Sequence, residues 1–288
     1  MDLLFKNSNS GDELSAFQEN GGYFIIKRSY GNKQRLNEAA RLQANYEDKT
    51  LNTYSVPIKA IKTTNTFTQI KMPFIDGYSG QNVYTYLSPV LLLNISDRLI
   101  TSVISKISLI SETYSALEIR DLTKHKLNSV KSAVQKNKIV GNVSSLSKKI
   151  EEIVLDELED NRIDLPKGAT HGDLTFSNII YNVQTDRVWL IDFLPVYLHS
   201  PLIDLAKLTQ EFKYCWSARY LSKAARTSSK IVGRTAMGRL LEQLPPNYGR
   251  HLKVLSLMNL YRILPYVKDE VTFRWVVESL SEEFECEY

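Results

Sequence analysis

Apolar and polar positions divide the chain into two parts of different character. Near the start, short apolar runs between polar turns predict strands over Leu3 to Lys6, Glu13 to Phe17 and Tyr23 to Arg28. The joining segments are Asn7-Ser8-Asn9-Ser10-Gly11 and Asn20-Gly21-Gly22, and Asn-Gly suits the positive φ angles of a two-residue hairpin turn. Leu36, Ala39, Ala40 and Leu42 then recur at helical spacing, predicting a helix from about Gln34 to Tyr46, and Thr66 to Met72 predicts another strand. Farther on, helical periodicity dominates, over Ser88 to Thr113 and Ser144 to Asp160. Lys124 to Lys138 reads as a polar surface helix or connector. A hairpin interrupts this part: Asn178 to Tyr181 as one strand, Thr185-Asp186 as the turn, Val188 to Ile191 as the return.

Composition adds limits. A chain of 288 residues can bury a sizeable core. The longest apolar run, Val90 to Ile95, is too short to span a bilayer, and the charged N-terminus has no secretory core, so a cytoplasmic protein is expected. Cys215 and Cys286 lie far apart without His or Cys at metal spacing, so neither a zinc site nor a disulfide framework is indicated. The net charge is only +4 and the aromatic residues are not interleaved with the basic ones, so nucleic acid is not an expected partner.

The most informative run is His171-Gly172-Asp173-Leu174-Thr175-Phe176-Ser177-Asn178, followed by Val188-Trp189-Leu190-Ile191-Asp192-Phe193. Phosphoryl transfer needs a nucleophile held in place and a cation on the phosphate oxygens. Asp173, ionised at neutral pH with an ordinary pKa near ~4, can orient a hydroxyl and accept its proton. Asn178 and Asp192 offer the hard oxygens that Mg²⁺ prefers, and pairing of the hairpin strands brings the two together. Each fragment alone is an ordinary turn or strand end; the combination is not.

These residues resemble the aminoglycoside phosphotransferase and choline kinase family, whose fold is protein-kinase-like. The family's His-Gly-Asp-x-x-x-x-Asn run matches at His171, Gly172, Asp173 and Asn178, its Ile-Asp strand end at Ile191 and Asp192, and its Asp-Leu-Ala at Asp204-Leu205-Ala206. The resemblance implies an α+β fold in two lobes, a small antiparallel β N-lobe (1–74) and a mainly helical C-lobe (75–288). It implies ATP and Mg²⁺ as cofactors, Asp173 as catalytic base, and His171 and Asp204 as structural supports of the loop. Asp204 reads equally as an acidic residue in the first turn of a helix opened by Ser200 and Pro201. No Gly follows Asp192-Phe193, and Thr175 stands where serine/threonine protein kinases carry a Lys; both argue against a protein kinase. The wording of residues 171–216 looks most like phosphotransferases of bacterial surface-polysaccharide clusters.

A kinase-like lobe needs a Lys on the nucleotide phosphates and an acidic helix residue holding it. Lys27, on the same strand face as Ile25, and Glu38, on the first helix, are the candidates. The alternatives are an edge-strand Lys and a solvent-facing Glu paired with Arg35 or Arg41. Ser10 and Gly11 lie in a loop whose N–H groups could approach phosphates. Met72-Pro73-Phe74-Ile75 reads as a hinge, with Pro73, Phe74 and Ile75 beside the adenine, or as an ordinary strand-to-loop junction.

The expected acceptor is a hydroxyl of a small molecule, first a saccharide or polyol, then a choline-like or aminoglycoside substrate; a nucleotide-binding pseudokinase is the alternative class. Arg219, Lys223, Arg226, Lys230 and Arg234 would form one basic stripe on a continuous helix, with Leu221, Ile231 and Val232 on the other side. Such a stripe attracts an anionic or lipid-linked partner or a membrane surface, or is simply a solvated face. Thr227-Ser228-Ser229 and Gly233 could break it.

Overall fold

The structure is a computed structural model that describes residues 3–5, 12–46, 52–141, 143–160 and 164–285. The N-terminal sheet contains β1 (Leu3–Phe5), β2 (Glu13–Glu19), β3 (Gly22–Ser29), β5 (Ala60–Thr63) and β6 (Thr68–Pro73), ordered β1-β2-β3-β6-β5 with every pair antiparallel. Asn20 and Gly21 both have positive φ between Glu19 and Gly22, as a two-residue hairpin turn requires. Helix α1 (Lys33–Asn45) lies against this sheet through Leu36, Ala40 and Gln43. Leu36, Ala40, Val56, Ile70 and Met72 form a small core, closed by Trp189 and Ile191 from the distant hairpin.

That hairpin, β9 (Ile179–Asn182) and β10 (Arg187–Leu190), pairs antiparallel as expected, but its turn spans residues 183–186 and not Thr185-Asp186 alone, so Arg187 lies opposite Asn182. Unexpectedly, β4 (Thr53–Ser55) pairs in parallel with β10, so a three-residue piece of the N-terminal part completes the sheet of this hairpin. Nothing in so short a run announces a partner more than a hundred residues away.

The rest is helical: α2 (Gln81–Tyr86), α3 (Pro89–Leu109), α4 (Ala116–Val134), α5 (Ser144–Asp160), α6 (Pro201–Tyr214), α7 (Lys223–Gln243), α8 (Gly249–Tyr261) and α9 (Glu270–Phe284). This is the protein-kinase-like arrangement of a small antiparallel sheet and a helical lobe. The periodicity of Ser88 to Thr113 overruns its helix. The chain turns extended at Ile110, and Thr113–Tyr114 (β7) pairs with Leu165–Pro166 (β8). The polar stretch Lys124 to Lys138 begins within α4 and runs past its end at Val134; the start of the helix carries a Ser115/Glu118 capping box.

Helix α6 is central. Leu202, Ile203, Leu205, Ala206, Leu208 and Phe212 pack it into the core, and every residue except Lys213 is buried, the polar Asp204, Lys207, Thr209, Gln210 and Glu211 included. Helix α7 crosses it so closely that a Cβ on Gly233 would lie 2.0 Å from the Phe212 carbonyl oxygen. Gly233 therefore does not break α7; it lets two backbones meet.

Candidate active site

The loop from His171 to Asn178 is held in place by α6. Ser200 caps this helix with Pro201 at its first position, as the sequence indicated, and its inward polar residues Asp204, Lys207 and Glu211 follow at spacings of three and four. Asp204 accepts the His171 N–H with one oxygen and the Gly172 N–H with the other, both at 2.8 Å. Glu211 accepts the Phe176 N–H at 3.1 Å and also receives Tyr84, the Ser217 N–H and the Ser217 hydroxyl. Burial raises both carboxyls, opposed by these donors. Gly172 has φ +82°, and a Cβ there would lie 2.1 Å from the Leu194 carbonyl oxygen, so the loop can turn here only with glycine.

His171 is a strut. Its Nε2 lies 2.8 Å from the Ile191 carbonyl, which only accepts, so Nε2 carries the proton and Nδ1 accepts the Asp173 N–H at 3.2 Å. Burial pushes its pKa below the ordinary 6.5, in keeping with a neutral ring. The Phe193 ring packs on it at 4.2 Å between ring centres and meets the Tyr46 ring edge-on at 4.9 Å.

Both oxygens of Asp173 are held. Asn178 Nδ2 donates to Oδ2 at 2.7 Å and to the Asp173 carbonyl at 2.7 Å, while Lys207 Nζ lies 3.1 Å from Oδ1. Burial works to raise this carboxyl, but Lys207, with lesser help from the Asn178 hydrogen bond, holds it below the usual range. Asp173 is thus a fixed carboxylate. Lys207 itself is buried, and burial lowers its pKa against the pull of Asp173.

The expected metal ligands are neighbours in the fold. The Ile191 N–H donates to the Asn178 carbonyl at 3.0 Å, which brings Asp192 to the end of the strand beside Asn178. Asp192 has φ +58°, rare for a non-glycine residue, and its side chain is 42% exposed. Asn178 spends its amide nitrogen on Asp173, which leaves its side-chain oxygen as the acceptor end.

Lys27 departs from expectation in its partner. Its ammonium lies 3.1 Å from Asp192 Oδ1 and 3.5 Å from Asp12 Oδ2, and among the described residues there is no Lys27–Glu38 ion pair. Glu38 is exposed. It sits about 200° round the helix from Leu36 at 3.6 residues per turn, so the face that buries Leu36, Ala40 and Gln43 turns Glu38 outward. Gln43, buried on that face, donates to the Val56 carbonyl and to Met72 Sδ.

Ser10 and Gly11 lie outside the described residues. In the hinge, Pro73 ends β6 and has no N–H, and Phe74 gives its N–H to the Tyr23 carbonyl at 2.9 Å. Of the three candidates, Ile75 keeps an N–H without a backbone partner among the described residues. The basic stripe contracts to four exposed residues of α7: Lys223, Arg226, Lys230 and Arg234. Arg219 precedes the helix and stacks on Trp216 and Tyr220, with 3.5 and 4.4 Å from guanidinium carbon to ring centres. Ile231, expected on the opposite side, is also exposed.

No protein-family model matches the chain, and no curated protein matches it by sequence. Solved structures do match. A thermostable mutant of the aminoglycoside phosphotransferase APH(4)-Ia, in ternary complex with ADP and hygromycin B, superposes with TM-score 0.60 at 14% identity, covering 99% of this chain and 91% of that one. The chain has the fold of these phosphotransferases. A Haemophilus somnus 129PT protein assigned as a fructosamine-3-kinase gives TM-score 0.60 at 11% identity over 97% of this chain and 91% of that one. The Plasmodium vivax ethanolamine kinase gives 0.51 at 14% identity over 98% and 81%. The group that the motifs resemble is therefore met again among proteins of the same fold.

Proposed function

We propose that this chain is an ATP-dependent phosphotransferase that moves the γ-phosphoryl group to a hydroxyl of a small molecule. The observation that carries the reading is Asp173: a carboxylate fixed at both oxygens, held below the ordinary range, in a loop locked by Asp204 and Glu211. Such a group can hold an acceptor hydroxyl in line and take its proton without rearranging. Lys27 would meet the phosphates, Ile75 would offer its N–H to the adenine, and residues 74/75 would divide the lobes.

The donor set suits Mg²⁺. Among the described residues no cluster of three or more acidic, His or Cys side chains could cage an ion, and Mg²⁺ at nucleotide sites takes only one or two protein ligands beside phosphate oxygens and waters. Asp192 and the Asn178 oxygen would be those ligands, and the bound ion would neutralise phosphate charge.

The first-choice acceptor is a saccharide or polyol of surface-polysaccharide assembly, a choice supported by the resemblance of residues 171–216 alone. The exposed stripe of α7 is the candidate contact for an anionic or lipid-linked acceptor at the inner face of a membrane; no described helix is long and apolar enough to cross one. Dependence on ATP places the reaction in the cytoplasm. The test is ATP turnover by the full chain against a panel of neutral, acidic and lipid-linked sugars, choline, ethanolamine and aminoglycosides, with nucleotide binding in parallel. Turnover with one acceptor class supports the reading; nucleotide binding with no turnover on any of them assigns a pseudokinase instead.

A further inference from the structure

Two observations meet at Lys207. Its side chain, only 8% exposed, points its ammonium at Asp173 Oδ1 (3.1 Å) and at Gln210 Oε1 (3.2 Å). An ammonium has three donors, and among the described residues the third has no partner. The loop, meanwhile, brings no cation of its own: Thr175, two places after Asp173, has a buried hydroxyl with no partner among the described residues. A neighbouring helix places a positive charge where the loop lacks one.

We propose that Lys207 is a catalytic residue whose ammonium contacts the γ-phosphoryl group during its transfer. The inference rests on the phosphotransferase reading. An acceptor hydroxyl bonded to Asp173 at about 2.7 Å, with phosphorus about 3–3.5 Å from the attacking oxygen, brings the moving group within reach of an ammonium on the same carboxylate. Charge in that transition state is spread over three equatorial oxygens, and a lysine binds phosphate as a point charge. In the step, the acceptor oxygen bonds to phosphorus as the bond from phosphorus to the β,γ-bridging oxygen breaks. The departing ADP keeps the electron pair, the hydroxyl proton passes to Asp173, and Lys207 keeps its three protons throughout.

The competing role is that of a counter-ion, there only to balance the half-buried Asp173 carboxylate. Titration calorimetry of the full chain with MgADP, alone and with fluoroaluminate as a mimic of the moving phosphoryl group, separates the two. Because Lys207→Met leaves Asp173 unpaired and could fail to fold, the decisive comparison is Asp173→Asn against Asp173→Asn/Lys207→Met, where the carboxylate that Lys207 contacts is gone in both. The proposal expects loss of the ammonium to weaken the fluoroaluminate complex by at least about tenfold, on the scale of removing one transition-state donor, with MgADP alone changed less than about twofold. Lys207→Arg, which keeps the charge, should retain most of the effect. Equal fluoroaluminate affinity in the single and the double variant overturns the proposal and leaves the phosphotransferase reading intact. Failure of the unaltered protein to bind MgADP overturns both.

Discussion

Asp204 accepts the His171 N–H at 2.8 Å from inside a fully buried helix turn, so the catalytic loop and α6 are one mechanical unit. Asp204→Asn turns one acceptor into a donor facing an N–H, leaving a buried group unsatisfied at a cost of about 1–3 kcal/mol. Thermal unfolding should show that loss, and phosphate transfer should fall with it. A variant as stable and active as the unaltered protein would mean that the loop is held from elsewhere.

Lys27 and Glu38 should behave differently. Lys27→Ala removes the cation shared by Asp192 and Asp12, and turnover is expected to fall at least about tenfold, as for loss of a phosphate-binding charge. Glu38→Ala, on an exposed face, should change stability by no more than about 0.5 kcal/mol and leave turnover unaltered. A large loss from Glu38→Ala in steady-state assays would show that the helix turns its acid inward once nucleotide is bound.

The buried neutral His171 makes stability pH-dependent. Its folded pKa lies below the ordinary 6.5, so the unfolded chain binds the proton first as pH falls. The contribution is complete above about pH 6.5 and is lost as pH drops towards the folded value. Urea midpoints measured between about pH 8 and pH 5 should fall less steeply for His171→Gln. Parallel curves would assign the acid sensitivity to other groups.

At Gly233 two effects oppose. Alanine is better than glycine in a helix by about 1 kcal/mol, but its Cβ would meet the Phe212 carbonyl at 2.0 Å, and forcing α6 and α7 apart costs about 1–3 kcal/mol. Overpacking against backbone should win, so Gly233→Ala is expected to lower the unfolding temperature. A rise would mean that the helices separate easily.

Much of the fold was legible from local pattern. The β2–β3 turn follows from Asn20-Gly21 and the β9–β10 hairpin from its two apolar runs about a polar turn, and α5 was read at its observed bounds because periodicity and burial agree there. The placement of His171, Asp173, Asn178, Asp192 and Asp204 follows from their motif. The assignment of Glu38 fell to the helix period, which Leu36, Ala40 and Gln43 already marked. Lys207 and Glu211 were passed over although their signal was present: two charged residues, three and seven places after Asp204, so on one helix face with it. The pairing of β4 with β10 joins distant segments and has no local signature.

On the proposed function, phosphate transfer depends most directly on Asp173. Replacing it by Asn keeps the shape and removes the base, so transfer from ATP should fall by at least about 10²-fold while MgADP affinity stays within about twofold. Retention of most of the turnover by Asp173→Asn would contradict its role as base, because the proton of the acceptor would then be leaving by another route.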